Sequence, residues 1–465
     1  MKSHIFILVF FIVSGIAIFN LSSCKKDVLF SSEHLSFSAD TVLFDTVFTT
    51  VGSTTKRLKI YNESNRPIKI NQVILEGGKN SPFRVNLDGE PGTQFKDVLL
   101  PANDSLFMFV EVTIEENTYT NSPFIIQDSI RFVTNGKDQF VQIAAWGQDA
   151  YFYRNEEVVN NVWDNDKPHV IYGVALVDSL SSLTILPGTK VHFHKGSMLY
   201  VKGELHVQGT FTDKVVFEGD RLESFYKDVK GQYYGIYFDR AFSSTIDNAI
   251  IKNGTAGIHL YGNHPNNTGY TLEIRNTEIF NHASYGIFNY SGGKVKGENL
   301  NIHSNDVYAY FLLEGGDHNF THSQFLSYGA EGNHPAVAIK NYFTRNDGFT
   351  YLGDINEGSF YNSIIYGNGE YQIGYDTLTN GGMVSIHYDY NTNFIRQGET
   401  LSGPNFVNNT WNTNPKFESI AEQNFKIQSD SPCVGAGSNA FYLSTDIEGN
   451  ARDTDTPDIG AYEVQ

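Results

Sequence analysis

An Asn-x-x-Ile step keeps returning along the second half of this chain, at Asn248/Ile251, Asn276/Ile279, Asn299/Ile302 and Asn362/Ile365, with His322/Phe325 as a variant. The intervals are 28, 23, 23 and 40 residues. A second marker, a small residue before an apolar one, falls at Gly235-Ile236, Gly257-Ile258, Gly286-Ile287 and Ala309-Tyr310, at intervals of 22, 29 and 23. A unit of this length holds three short strands and three bends, and it cannot bury an apolar face alone. Stacking unit on unit solves the problem, so the spacing predicts a parallel β-helix. The oversized intervals place insertions at 263–269 and around 331–358, and insertions in such stacks tend to carry binding. The asparagines read as scaffold. At a bend Asn tolerates left-handed backbone, and stacked amides bond from coil to coil.

The same grammar begins earlier. Runs from Leu183 to Phe193, Leu199 to Gly203 and Leu205 to Gly209 alternate apolar and polar residues between glycines. The chain holds 42 Gly, 27 Tyr and 35 Phe but only 4 Met, and no sustained period-3.6 pattern appears, which predicts an all-β protein. A stack of roughly ten coils at about 4.8 Å each would be ~50 Å long.

The first third reads differently. Leu106, Met108, Val110, Val112 and Ile114 share one face at period two. Ile130-Arg131-Phe132-Val133 and Phe140-Val141-Gln142-Ile143 flank an Asn135-Gly136 hairpin signal. Six to eight such strands predict an immunoglobulin-like sandwich over residues 35–150. The N-x-x-x-x-P-I-x-I turn at 62–70 resembles that of bacterial sandwich domains, and its expected job is that of a spacer.

Ahead of it, Met1-Lys2-Ser3-His4 and the apolar run from Ile5 to Phe19 match a secretory signal, too short for a comfortable bilayer span. Leu21-Ser22-Ser23-Cys24 resembles the lipobox of bacterial lipoproteins. That resemblance implies removal of residues 1–23, lipidation of Cys24, a tether over 24–34 and a place in the cell envelope, anchored to the outer membrane, with periplasmic and surface-exposed facing both left open. Cys433 is then the one remaining thiol, expected to be a small buried apolar residue.

Leu183-Thr184-Ile185-Leu186-Pro187-Gly188-Thr189-Lys190-Val191-His192-Phe193 and Tyr234-Gly235-Ile236-Tyr237-Phe238 resemble the opening of right-handed parallel β-helix proteins of the pectate-lyase-like superfamily. Ser431-Pro432-Cys433-Val434-Gly435 and the ending from Asp446 to Glu463 resemble the closing motif of secreted bacterial β-helix proteins. The resemblance implies a right-handed parallel β-helix over 155–465. It leaves function open, since that fold serves lyases, hydrolases, adhesins and stalks.

Chemistry is sparse. The Asp-Asp pair and Gly-His-Gly of β-helix glycosidases are missing from the sequence. Asp239-Arg240 and Asp317-His318 read as solvated pairs, and His192 and His194 as outward surface residues. Asp453-x-Asp455-x-x-Asp458 reads as a capping turn rather than a calcium loop. No catalytic residue, metal or cofactor is therefore assigned. A net charge of -19 argues against nucleic acid as a ligand. The aromatic surplus is the one hint: Tyr285, Phe288 and Tyr290 on one coil, Tyr308 and Tyr310 on the next. With Ala309 and Phe311 inward, Tyr308 and Tyr310 form an exposed stripe suited to sugar faces or polar partners. The leading expectation is a non-enzymatic envelope rod that contacts a polysaccharide or surface protein. The alternatives are a polysaccharide lyase or glycoside hydrolase with a non-standard site, and a passive structural component.

Overall fold

The computed structural model describes residues 29–49, 52–115, 124–330 and 332–465. Cys24 and the apolar run before it lie outside the described residues. The chain divides into two compact units between Gln148 and Asp149.

The first unit is a β-sandwich of two five-stranded sheets. One sheet runs Ser36–Phe37, Lys56–Asn62, Asp104–Val112, Phe83–Leu87, Glu90–Gly92; the other runs Thr41–Phe48, Lys137–Gln148, Phe124–Thr134, Ile68–Leu75, Gln94–Leu100. Thr41–Phe48 pairs parallel with Lys137–Gln148, while the other pairings are antiparallel. Period two does what the sequence predicts: Met108, Val110, Val112 and Ile114 are buried against Leu58, Ile60, Phe132 and Val141. Asn135 and Gly136 take the positive φ of 51° and 72° that the tight hairpin demands. In the turn at 62–70, Asn62 is buried, and its amide donates to the carbonyls of Arg66, Leu100 and Pro101.

The second unit is a parallel β-helix, one 26-stranded sheet in which each strand pairs with its counterpart one coil on. Three strands per coil give three faces. One face holds Met198–Val201, Gly235–Asp239, Ala256–Tyr261, Tyr285–Tyr290, Tyr308–Leu313, Val337–Lys340 and Ile373–Asp376. Inside it Leu199, Ile236, Ile258, Ile287, Tyr310, Val337 and Ile373 stack in register. All five marker positions, Asn248, Asn276, Asn299, His322 and Asn362, have positive φ between 45° and 52°. The ladder is bonded as well: Asn299 donates to Asn276 at 3.0 Å, and the Asn362 amide lies 3.0 Å from His322. The small marker residue is a matter of room, because a Cβ at Gly257 would fall 2.6 Å from Ile279 Cγ2 and 2.7 Å from the Gly286 carbonyl.

The C-terminal segment runs back along a second face. Phe417, Phe425, Ile427, Cys433 and Ile459 pack on Leu326, Tyr328, Ile364, Tyr366 and Phe394. Ser438 bonds Asn362, Arg452 bonds Asn299, and Tyr462 bonds Asn301 and Glu278, so the segment lies against several coils of the stack. The closing motif is thus a lateral cover. Arg452 is its latch, buried, 3.0 Å from Glu463 and donating to the Gly460 carbonyl.

Candidate functional site: an open aromatic face

On the first face the residue after each small-apolar marker points outward. Tyr200, Tyr237, His259, Phe288 and Phe311 stand in register over five coils, about 19 Å of stack. Their rings follow one another at 5.0, 4.4, 4.6 and 5.1 Å between centroids. Tyr200 and Tyr237 are within 7° of parallel, as Phe288 and Phe311 are within 8°. Beside them Tyr285 and Tyr308 stack at 5.9 Å, and Tyr261 and Tyr290 lie 5.4 Å apart. These rings are half-buried in one another and keep part of their surface open.

Burial raises the Tyr237 phenol to about 12 and lowers His259 to about 4, so the middle of the face is uncharged at ordinary pH. Three charged pairs line the rim. Asp239 accepts from Tyr200 at 2.7 Å and pairs with Arg240 at 3.2 Å. Glu314 accepts from Ser291 at 3.1 Å and from Arg345 at 2.8 Å. Lys340 pairs with Asp376 at 2.7 Å, and Tyr342 donates to the same carboxylate at 2.8 Å. Arg345 belongs to a hairpin of Tyr342–Thr344 and Thr350–Leu352, inside an insertion at 341–357 that leaves this edge.

Of the tyrosines singled out in the sequence, Tyr285, Tyr290 and Tyr308 lie outward on this face. Tyr310 does not. It is fully buried, its hydroxyl 3.2 Å from the Asn289 amide, and Phe311 takes the outward place. The reason is register: Ala309-Tyr310 occupies the bend-and-core position of Gly286-Ile287, so two successive residues turn inward before alternation resumes. The same marker could have pointed to Tyr237, His259 and Phe311, which reading each strand alone passed over.

Other expectations also move. His192 is buried, its Nδ1 3.2 Å from the Gly219 carbonyl, while half-exposed His194 pairs with buried Asp220 at 2.7 Å. Asp317 and His318 are both buried: Asp317 pairs with Lys294 at 3.2 Å, and His318 lies inside the coil against Tyr310 and Phe360. The carboxylates of Asp453 and Asp458 accept backbone N–H groups of the C-terminal segment. Cys433 is buried, which pushes its thiol up to about 12. Among the described residues no group of three or more His, Cys, Asp and Glu side chains could hold a metal ion.

No protein-family model and no curated protein matches this sequence. Solved structures with similar folds include the catalytic unit of an α-1,3-glucanase from Streptomyces thermodiastaticus, at 10% identity over 77% of this chain and 91% of the other, TM-score 0.31. Pectate lyase Pel9A is 14% identical over 62% of this chain and 89% of its own, TM-score 0.26. A family 123 glycoside hydrolase from Clostridium perfringens is 9% identical over 26% of this chain, TM-score 0.18, and the match spans only 30% of its length. These likenesses concern fold alone. The class of molecule is a parallel β-helix preceded by a β-sandwich.

Proposed function

We propose that this is a lipid-anchored envelope protein whose β-helix binds a glycan along its aromatic face, with an immunoglobulin-like sandwich as spacer. The observation that carries the reading is the outward ladder of Tyr200, Tyr237, His259, Phe288 and Phe311, flanked by tyrosine hydroxyls. Flat rings beside polar tips match the apolar faces and hydroxyl rims of sugar rings. The anchor rests on the resemblance of Leu21-Ser22-Ser23-Cys24 to a lipobox. Affinity electrophoresis in gels cast with polysaccharides tests the binding: wild type should be retarded, and Phe288→Ala with Phe311→Ala should abolish it. Equal retardation of both would remove the aromatic face from the account. Cys24→Ser should release the protein from membranes, and unchanged membrane association would refute the anchor.

One observation favours a second reading, hydrolysis or lyase cleavage. On the next face Thr271, Lys294, Asp317 and Glu357 follow coil by coil. There Glu357 accepts from Asn319 at 2.7 Å and from the Tyr270 hydroxyl at 2.6 Å, beside the Lys294–Asp317 pair. Each carboxylate already has partners from its own chain, which supports scaffold over catalysis. Release of reducing ends or unsaturated products by wild type, lost in Glu357→Gln, would reverse that order.

A further inference from the structure

The rim of the aromatic face limits what can lie on it. Three cations stand along it, and each is held by a carboxylate: Arg240 by Asp239, Arg345 by Glu314, Lys340 by Asp376. Two of the carboxylates are further engaged by ring hydroxyls, Asp239 by Tyr200 and Asp376 by Tyr342. Arg345 also lies 3.8 Å from the Tyr351 ring centroid, which fixes it beside the hairpin. A fourth cation, Lys202, sits at the first coil, 6.0 Å from the Tyr200 ring centroid.

A polymer of uronic acids would bring a carboxylate with each sugar. To gain from it, the face would have to offer arginine or lysine donors in charge-assisted contact. Here three of the four donors face carboxylates of the same chain, with Lys202 set against the Tyr200 ring at the first coil, and the whole chain carries -19, so an acidic polymer meets repulsion before contact. An uncharged polymer meets rings in the middle and neutralised pairs at the edge. We propose that the aromatic face selects uncharged glycans, with Asp239–Arg240, Glu314–Arg345 and Lys340–Asp376 as its filter against acidic ones. This rests on the glycan reading above.

Glu314 is the informative position, because its side chain is 8% exposed and holds Arg345 through two contacts at 2.8 and 3.0 Å. Glu314→Gln leaves the guanidinium on its rim without a counter-charge. Asp376→Asn, at a carboxylate 56% exposed, repeats the change for Lys340 where folding is not at stake.

Affinity electrophoresis with neutral glucan, xylan and mannan against polygalacturonate and alginate reads the outcome. Wild type should be retarded by at least one neutral polymer and by neither acidic one. Glu314→Gln and Asp376→Asn should gain about tenfold or more in affinity for an acidic polymer, a gain that added salt removes. Wild-type retardation by an acidic polymer that is lost in Phe288→Ala/Phe311→Ala would overturn the filter and leave the glycan reading standing. Variants that gain nothing would also overturn it. Failure of wild type to bind any of the five polymers would take both claims down.

Discussion

Two faces of one stack carry outward apolar side chains, and the chain treats them in opposite ways. On one, Leu326, Ile364, Tyr366 and Phe394 are buried beneath Phe417, Phe425 and Ile459 of the C-terminal segment. On the other, Tyr237, Phe288 and Phe311 remain half-open. The hydrophobic effect penalises both rows when they face water. Covering one with about fifty residues of returning chain shows the usual remedy within this fold. The other row stays open, flanked by tyrosines and a rim of matched charges. That contrast separates rings that serve the fold from rings available to a ligand.

The largest expected effect tests the cover. Arg452 has a side chain 0% exposed, bonded to Glu463, Asn299 and the Gly460 carbonyl. Arg452→Ala removes the counter-charge of the Glu463 carboxylate, itself 5% exposed and left with the backbone N–H groups of Asp453 and Asp458, and removal of one partner of a buried pair costs about 3–5 kcal/mol. Thermal unfolding should shift down by several degrees, and limited proteolysis should trim the C-terminal segment first. A variant as resistant as wild type would break the claim that this segment is structural.

Next comes the bend that holds the cover in place. Asn362 has a φ of 45°, donates to the Ser438 carbonyl at 2.9 Å and accepts from its N–H at 2.8 Å. Asn362→Ala should cost about 1–3 kcal/mol from backbone strain and lost bonds. Asn362→Gly removes the strain alone and should recover part of that loss in denaturant unfolding. Equal losses in both would place the whole effect in the side-chain bonds.

The stack was legible because its markers obey geometry that sequence records directly: a left-handed residue at each bend and a residue without bulk beside it. His322 fits because position matters there more than residue type, as its φ of 47° shows. Tyr310 escapes period two, which within one strand cannot detect two successive inward residues; only alignment with Ile287 reveals them. The ion pairs Glu314–Arg345 and Lys340–Asp376 join residues 31 and 36 positions apart across an insertion, and no spacing rule announces such partners. His192 looked exposed for the same reason, since what buries it lies on other coils.

Acid should separate stability from binding. His303, beneath the cover between Phe280 and Phe425, is pushed down to about 3 by burial, and His282 to about 4. Both are neutral in the fold, whereas the unfolded chain takes up their protons near pH 6.5. Unfolding free energy therefore falls as pH drops below about 6.5, by up to ~1.4 kcal/mol per unit for each histidine, until the folded values are reached. His303→Gln should flatten that slope by one proton. Glycan retention should stay level between about pH 6.5 and 5, because His259 titrates only near 4. Retention that falls with stability over that range would tie the two faces together.

The smallest effect on stability is the most diagnostic. Phe320 is fully buried among Tyr310, Phe325 and Phe360, and Phe320→Ala should cost about 3–5 kcal/mol as a core truncation. Phe288 touches as many rings, among them His259, Tyr285 and Phe311. With one side open to water, it gives up on truncation only part of the burial that Phe320 loses, and its neighbours can relax into the gap. Phe288→Ala should therefore unfold within about 1–2 kcal/mol of wild type while losing glycan retention. If it instead falls as far as Phe320→Ala in urea titration, the open ladder is holding the coils together. The difference between the two faces would then be one of cover alone, not of purpose.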